Sequence, residues 1–237
     1  MTRAIALVDH TKRHRPKPGV LQAIAEALTV QIKKDFAPAW GIAPVRVTVG
    51  GRGEPVHFFD SAHAADDVGY HEVDPSGRPY AHVCVDYAIR HRSNWLEGKD
   101  AISATASHEV LEMLVDPTAM DYSFNGARTL WAHEVCDPVE ENLYTIRVGR
   151  RTVPVSDFVL PAFFNAWSPG PFDHLGVLKK PFSLAKGGYA MCERARADYE
   201  KDGRRLAVVF DKSVPKWKRD QKRKGFGRTY WRLKLHQ

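Results

Sequence analysis

The sequence predicts an α+β fold. Two long segments have helical spacing of their apolar residues, and they bracket a series of short alternating segments punctuated by Gly and Pro. The strand-like segments are grouped between the helices instead of alternating strictly with them, which favours α+β over a repeated βαβ plan.

The first element is a short strand, Ala4–Val8. A helix follows from Gly19 to Phe36, with apolar residues at Val20, Leu21, Ile24, Leu28, Ile32 and Phe36, and Pro38 is expected to end it. Val45–Val49 alternates as a strand, Gly50–Gly53 reads as a turn, and Val56–Phe59 is another strand. Tyr70–Val73 and Tyr80–Tyr87 flank a turn-rich connection and are expected to pair or lie as neighbours; Tyr80–Tyr87 is the candidate edge strand. The second helix runs from about Lys99 to Val115, closed by Asp116-Pro117. Tyr144–Val148 and Thr152–Val159 read as a hairpin, residues 160–190 as irregular and aromatic, and Arg204–Phe210 as a last strand.

Composition sets the class. The chain has 237 residues, 43% hydrophobic and 27% charged, enough for a sizeable core. Three cysteines, Cys84, Cys136 and Cys192, are too few and too scattered for a disulfide framework or a thiolate zinc site. No apolar run reaches membrane-spanning length, and Ala4–Val8 is too short for a signal peptide, so a cytoplasmic protein with no membrane role is expected. The net charge of +7 is unevenly spread. Residues 212–237 hold ten Lys or Arg and one acidic residue, Asp220, which leaves 25 basic and 27 acidic residues elsewhere. This divides the chain into a domain, 1–211, and a basic tail, 212–237. Lys216-Trp217-Lys218-Arg219 and Arg228-Thr229-Tyr230-Trp231-Arg232 interleave cations with aromatics. Such a tail could dock on a protein assembly, bind nucleic acid through phosphates and stacking, or stay solvated.

Residues 107–117, Ser-His-Glu-Val-Leu-Glu-Met-Leu-Val-Asp-Pro, carry the chemistry. At about 100° per residue, Glu112 lies about 40° from His108 and Glu109 about 100° from it, while Ile102, Ala106, Val110, Met113 and Leu114 share the other side. His108 and Glu112, one turn apart, can grip one divalent ion, with Glu109 beside it. Downstream, residues 133–137 read His-Glu-Val-Cys-Asp. Four histidines, His57, His63, His71 and His82, lie along the strands; one of them could serve as a ligand, but separate surface or core roles are expected.

The His-Glu-x-x-Glu stretch resembles the His-Glu-x-x-His helix of the zincin metallopeptidases. With the Glu-Val-Cys-Asp-Pro segment, Val153–Val159 and Gly187-Gly188-Tyr189, it is similar to a zincin-like group of proteins from tailed phages and bacteria. The resemblance, over roughly residues 45–190, implies a zincin-like mixed sheet packed on helices, with the motif helix after the sheet. It implies zinc, or another divalent metal, on His108 and Glu112, with Glu109 as general base. Glu134 would be the third ligand, from a second helix. Asp137 would orient His108 through its other ring nitrogen, and Asp116 and His133 stand in reserve. The departure is Glu112, where zincins have histidine; its charge should weaken the metal as a Lewis acid. The expected function is a peptidase-like hydrolase acting on a peptide or protein, with Tyr144 as a candidate oxyanion donor. The alternatives are a non-catalytic virion component that keeps the metal site and docks through its tail, and a nucleic-acid-binding accessory protein.

Overall fold

The computed structural model describes residues 3–61, 68–126, 129–199 and 205–210, the last strands by backbone alone. The tail 212–237 and His63 lie outside the described residues. Strand β1 (Ala4–Asp9) leads through helix α1 (Val20–Gln31) to β2 (Arg46–Val49), then β3 (Glu54–Phe59), β4 (Gly69–Val73) and β5 (Pro79–Cys84). These five form one mixed sheet in the order β2-β1-β3-β5-β4. β1, β2, β3 and β5 are parallel, and β4 runs antiparallel to β5. The expected edge is therefore corrected: β5 is interior and β4 is the edge strand. β5 also ends early, because the chain turns at Val85 into a short helix, α3 (Val85–Arg90), where a continuing strand was expected.

The Pro38 expectation also fails. After α1 the helix widens into a π segment, Ile32–Phe36, and restarts as α2 (Ala37–Trp40). Pro38 sits in the first turn of that restart, where its missing N–H costs nothing. The helix ends instead at Gly41, with φ of 64°.

Helix α4 (Ile102–Val115) packs against β4, β5 and a later strand, β9 (Arg151–Ser156). β6 (Tyr122–Phe124), β7 (Thr129–Ala132), β10 (Cys192–Tyr199) and β11 (Arg205–Phe210) form an antiparallel sheet, and β8 (Leu143–Val148) and β9 (Arg151–Ser156) form the expected hairpin. One core, built on Ile5, Leu7, Ile24, Leu28, Phe36, Phe58 and Leu111, joins α1, α4 and the large sheet. Among the described residues no helix is long and apolar enough to cross a membrane.

Polar groups fix how α4 is seated. Ser107 Oγ donates to Gln31 Oε1 (2.8 Å), Gln31 Nε2 donates to the Ser156 carbonyl (2.9 Å), and the Ser156 N–H donates back to Ser107 Oγ (3.1 Å). This closed, buried triangle pins α1, α4 and β9 together. Arg3 holds the end of α4: its guanidinium donates to the Met113 carbonyl at 2.9 Å while its Nε pairs with Glu54 at 2.8 Å.

Residues 157–190 lack regular strands but are anchored by two buried aspartates. Asp157 accepts the Phe158 and Leu175 N–H groups, and Asp173 accepts those of Val177 and Leu178. Burial, and then the neighbouring Asp173, push the Asp157 carboxyl up to about 7.

Ser107→Ala leaves buried polar groups on Gln31 and Ser156 without their partner and should cost about 1–3 kcal/mol, read as a lowered urea midpoint at unchanged slope. A carboxyl whose pKa rises on folding stabilises the fold below its unfolded pKa, and that contribution is lost as pH climbs through the folded value. The wild type should therefore lose more thermal stability between pH 5 and pH 8 than Asp157→Asn does; parallel melting curves would remove the assignment.

Candidate metal centre

Helix α4 is the floor of the centre. Ile102, Ala106, Val110, Met113 and Leu114 are buried in the core, and His108, Glu109 and Glu112 lie on the opposite arc. That arc is also covered: Glu112 is 0% exposed, Glu109 4% and His108 6%. The chain closes over it from two directions.

From one side comes β4. Gly69 lies so close to α4 that a Cβ there would stand 2.7 Å from Glu109 Oε1 and 2.9 Å from Thr105 Cγ2. Any side chain here would force Glu109 and Thr105 to move. Two residues on, and so on the same face of the strand, His71 is fully buried against the carboxylates. Its Nδ1 lies 3.5 Å from Glu112 Oε2, 3.8 Å from Glu109 Oε2 and 3.9 Å from Glu134 Oε2.

From the other side come residues 133–141. Val135, Cys136 and Val139 plug into the core, and the Cys136 N–H donates to Glu112 Oε1 (3.2 Å). This places Glu134 and Asp137, each at most 2% exposed, on the centre. No second helix carries Glu134. The segment is a loop entering a 3-10 turn, Asp137–Val139, with Pro138 in its first turn. His108 Nε2 lies 3.2 Å from Glu112 Oε1 and 3.1 Å from Asp137 Oδ1. Asp137 thus faces the same ring nitrogen as Glu112; the other, Nδ1, faces Glu140 Oε2 at 2.8 Å.

The crowding of charge shows in the protonation equilibria. Burial works against the His108 imidazolium, but the charges of Glu112 and Glu140 and the Asp137 hydrogen bond outweigh it and raise its pKa well above the ordinary value. Burial, followed by the Glu112 charge, pushes Asp137 up to about 8. Burial likewise drives the Cys136 thiol upward.

Of the residues singled out in the sequence, His108, Glu109, Glu112, Glu134 and Asp137 converge. They fall into overlapping groups, His71 with Glu112 and Glu134, His108 with Glu109 and Glu112, and His108 with Asp137 and Glu140. Asp116 does not join them: its carboxylate accepts the Met120 and Asp121 N–H groups (2.8 and 3.1 Å) and shapes the turn after α4. His133 lies 2.7 Å from Ser123 Oγ, with its ring against Phe164. The Tyr144 hydroxyl donates to Asp35 (2.9 Å), outside the centre. His57 and His82 form an aromatic cluster with Phe59.

Sequence reasoning left His71 unseparated from three other histidines, one of which could be a ligand, and missed Glu140 and Tyr189 as parts of the centre. A cleft of about 480 Å³ opens beside α4 and is lined by Gly69, Thr105, His108, Glu109, Glu140 and Tyr189, among others. The Gly-Gly-Tyr segment lies on the 3-10 turn: the Tyr189 N–H donates to the Asp137 carbonyl (3.0 Å), and a Cβ on Gly188 would collide with the Pro138 carbonyl. Tyr189 is 38% exposed as a residue, but desolvation at its hydroxyl, and then the Asp137 charge, hold the phenol above its ordinary range.

The donor set suits a divalent cation. Two imidazoles and four carboxylates are buried together, an arrangement that needs more positive charge than two imidazoles supply, and mixed nitrogen and oxygen donors suit first-row ions. The chain matches no protein-family model, no curated protein and no solved structure. Added Zn²⁺ or Mn²⁺ should raise the melting temperature, by about 2.7 kcal/mol of stability at a hundred times the dissociation constant, and EDTA should reverse it. Identical melts with and without the ions would count against the centre.

Proposed function

We propose that the protein is a metal-dependent hydrolase with a zincin-like, peptidase-type centre on α4. The observation that carries this reading is the position of Glu109: it borders the cleft and lies on a buried group of histidines and carboxylates fit to hold a divalent ion, zinc in the first instance. His108, Glu112 and Glu134 are the holding groups suggested by the zincin resemblance, and the geometry adds His71. A mixed sheet whose antiparallel edge strand runs over the motif helix agrees with that resemblance.

A bound divalent ion would supply Lewis acidity at a substrate carbonyl and to an attacking water. Glu109 takes the proton from that water, a role its place at the edge of the cleft allows. Tyr189, on the cleft wall, replaces Tyr144 as donor to the oxygen on which charge develops. Gly69 brings the start of β4 to the cleft, so an extended substrate would meet Glu109 beside an edge strand. The Glu140 carboxylate, 2.8 Å from Nδ1, steadies the His108 ring through its charge.

Glu109→Gln should keep its metal and lose about 10²–10⁴-fold in hydrolysis of an unstructured protein substrate. Tyr189→Phe should lose about 10²-fold in kcat with little change in KM. Full activity in Glu109→Gln removes it as base, and a metal-loaded wild type inert toward peptides leaves a binding centre without turnover.

A further inference from the structure

We propose that the centre is dinuclear, with Glu112 bridging two divalent cations, one held with His71 and Glu134 and the other with His108 and Asp137. This deepens the metal-centre reading above and depends on it.

The two oxygens of Glu112 face different histidines. Oε2 lies 3.5 Å from His71 Nδ1, and Oε1 lies 3.2 Å from His108 Nε2. The His71 separations, 3.5 Å to Glu112 and 3.9 Å to Glu134, are longer than charge-assisted hydrogen bonds of about 2.7–2.9 Å. Two donors each about 2.1 Å from one tetrahedral ion stand roughly 3.4 Å apart. His71, Glu112 and Glu134 are therefore spaced as ligands of a common ion.

His108 makes the second subsite. Its Nε2 lies 3.1 Å from Asp137 Oδ1 and 3.2 Å from Glu112 Oε1, direct contacts that an ion entering between the imidazole and the two carboxylates would replace. Its Nδ1 lies on the other side of the ring, 2.8 Å from Glu140 Oε2, so that carboxylate acts on the ring by charge and leaves Nε2 to face the centre. One nitrogen of the ring is thus placed for a cation and the other for the carboxylate that orients it.

Charge favours two ions over one. Glu109, Glu112, Glu134 and Asp137 are each at most 4% exposed. Metal binding displaces ligand protons, that of Asp137 included, and the four carboxylates are then balanced by two divalent cations and left two charges over by one. The same proposal explains why a glutamate stands at position 112. A carboxylate has an oxygen for each of two ions about 3.5–4 Å apart, whereas an imidazole in its place could serve only one.

The test is a metal count on the full-length protein. After exhaustive chelation, titration with Zn²⁺ followed by calorimetry and elemental analysis should give two equivalents per chain. Loading with Mn²⁺ should give the exchange-coupled resonance spectrum of a pair of ions. His71→Ala and Asp137→Asn should each bind one equivalent, and Glu112→Gln should lose both. The wild-type count decides the matter even if a variant fails to fold. One equivalent, or two with an uncoupled manganese spectrum, overturns the dinuclear centre and leaves a single-ion hydrolase. No equivalents overturns the metal-centre reading itself.

Discussion

Negative charge buried on α4 is the constraint around which the rest of the molecule is arranged. Glu112 has no exposed surface, and Glu109, Glu134 and Asp137 have almost none. An isolated carboxylate taken out of water to that depth costs several kcal/mol even after relaxation. The fold supplies partners from three separate stretches of chain: His71 from the edge of the sheet, His108 from the helix itself, and the Cys136 N–H from a core-anchored loop. α4 cannot rotate without disturbing its contacts with His71 and the Cys136 N–H. The Ser107–Gln31–Ser156 triangle and the Arg3 contact at its end hold it against rotation and sliding.

Local signals were legible. The period of α4, its stop at Asp116-Pro117 and the arc of His108, Glu109 and Glu112 can be read from the sequence because they depend only on helix geometry. Most strands were legible for the same reason, as alternation between turn residues. What escaped depends on long-range placement. His71 shares its strand with Tyr70 and Glu72, and nothing local says which face meets a helix some 30 residues later. Which of β4 and β5 is the edge follows from β5 pairing parallel with β3, a contact between distant segments. Glu134 could be picked out as a partner, but its setting was misjudged: Val135, Cys136 and Val139 are buried by the core, not by a helical repeat.

The glutamate at position 112 has two faces. In the hydrolase proposed above, its charge would dull a bound ion as an electrophile. As a carboxylate with two oxygens it reaches two histidines on opposite sides, which one imidazole nitrogen could not do. It also takes the Cys136 N–H, so the downstream loop is tied to the helix through the same group that organises the charges. Substitution at this position would disturb loop and centre together.

The close approach at Gly69 bears on strand alignment. An edge strand is held by one neighbour only, and a slip of one residue would exchange its faces. In β4 such a slip would turn His71 outward and drive Tyr70 into the space where even a methyl group is too large. The outward ring of Tyr70 meets His82 of β5, which reinforces the same alignment. The centre therefore acts as a register lock for the strand that covers it, and an edge otherwise free to slide is set by the chemistry beneath it.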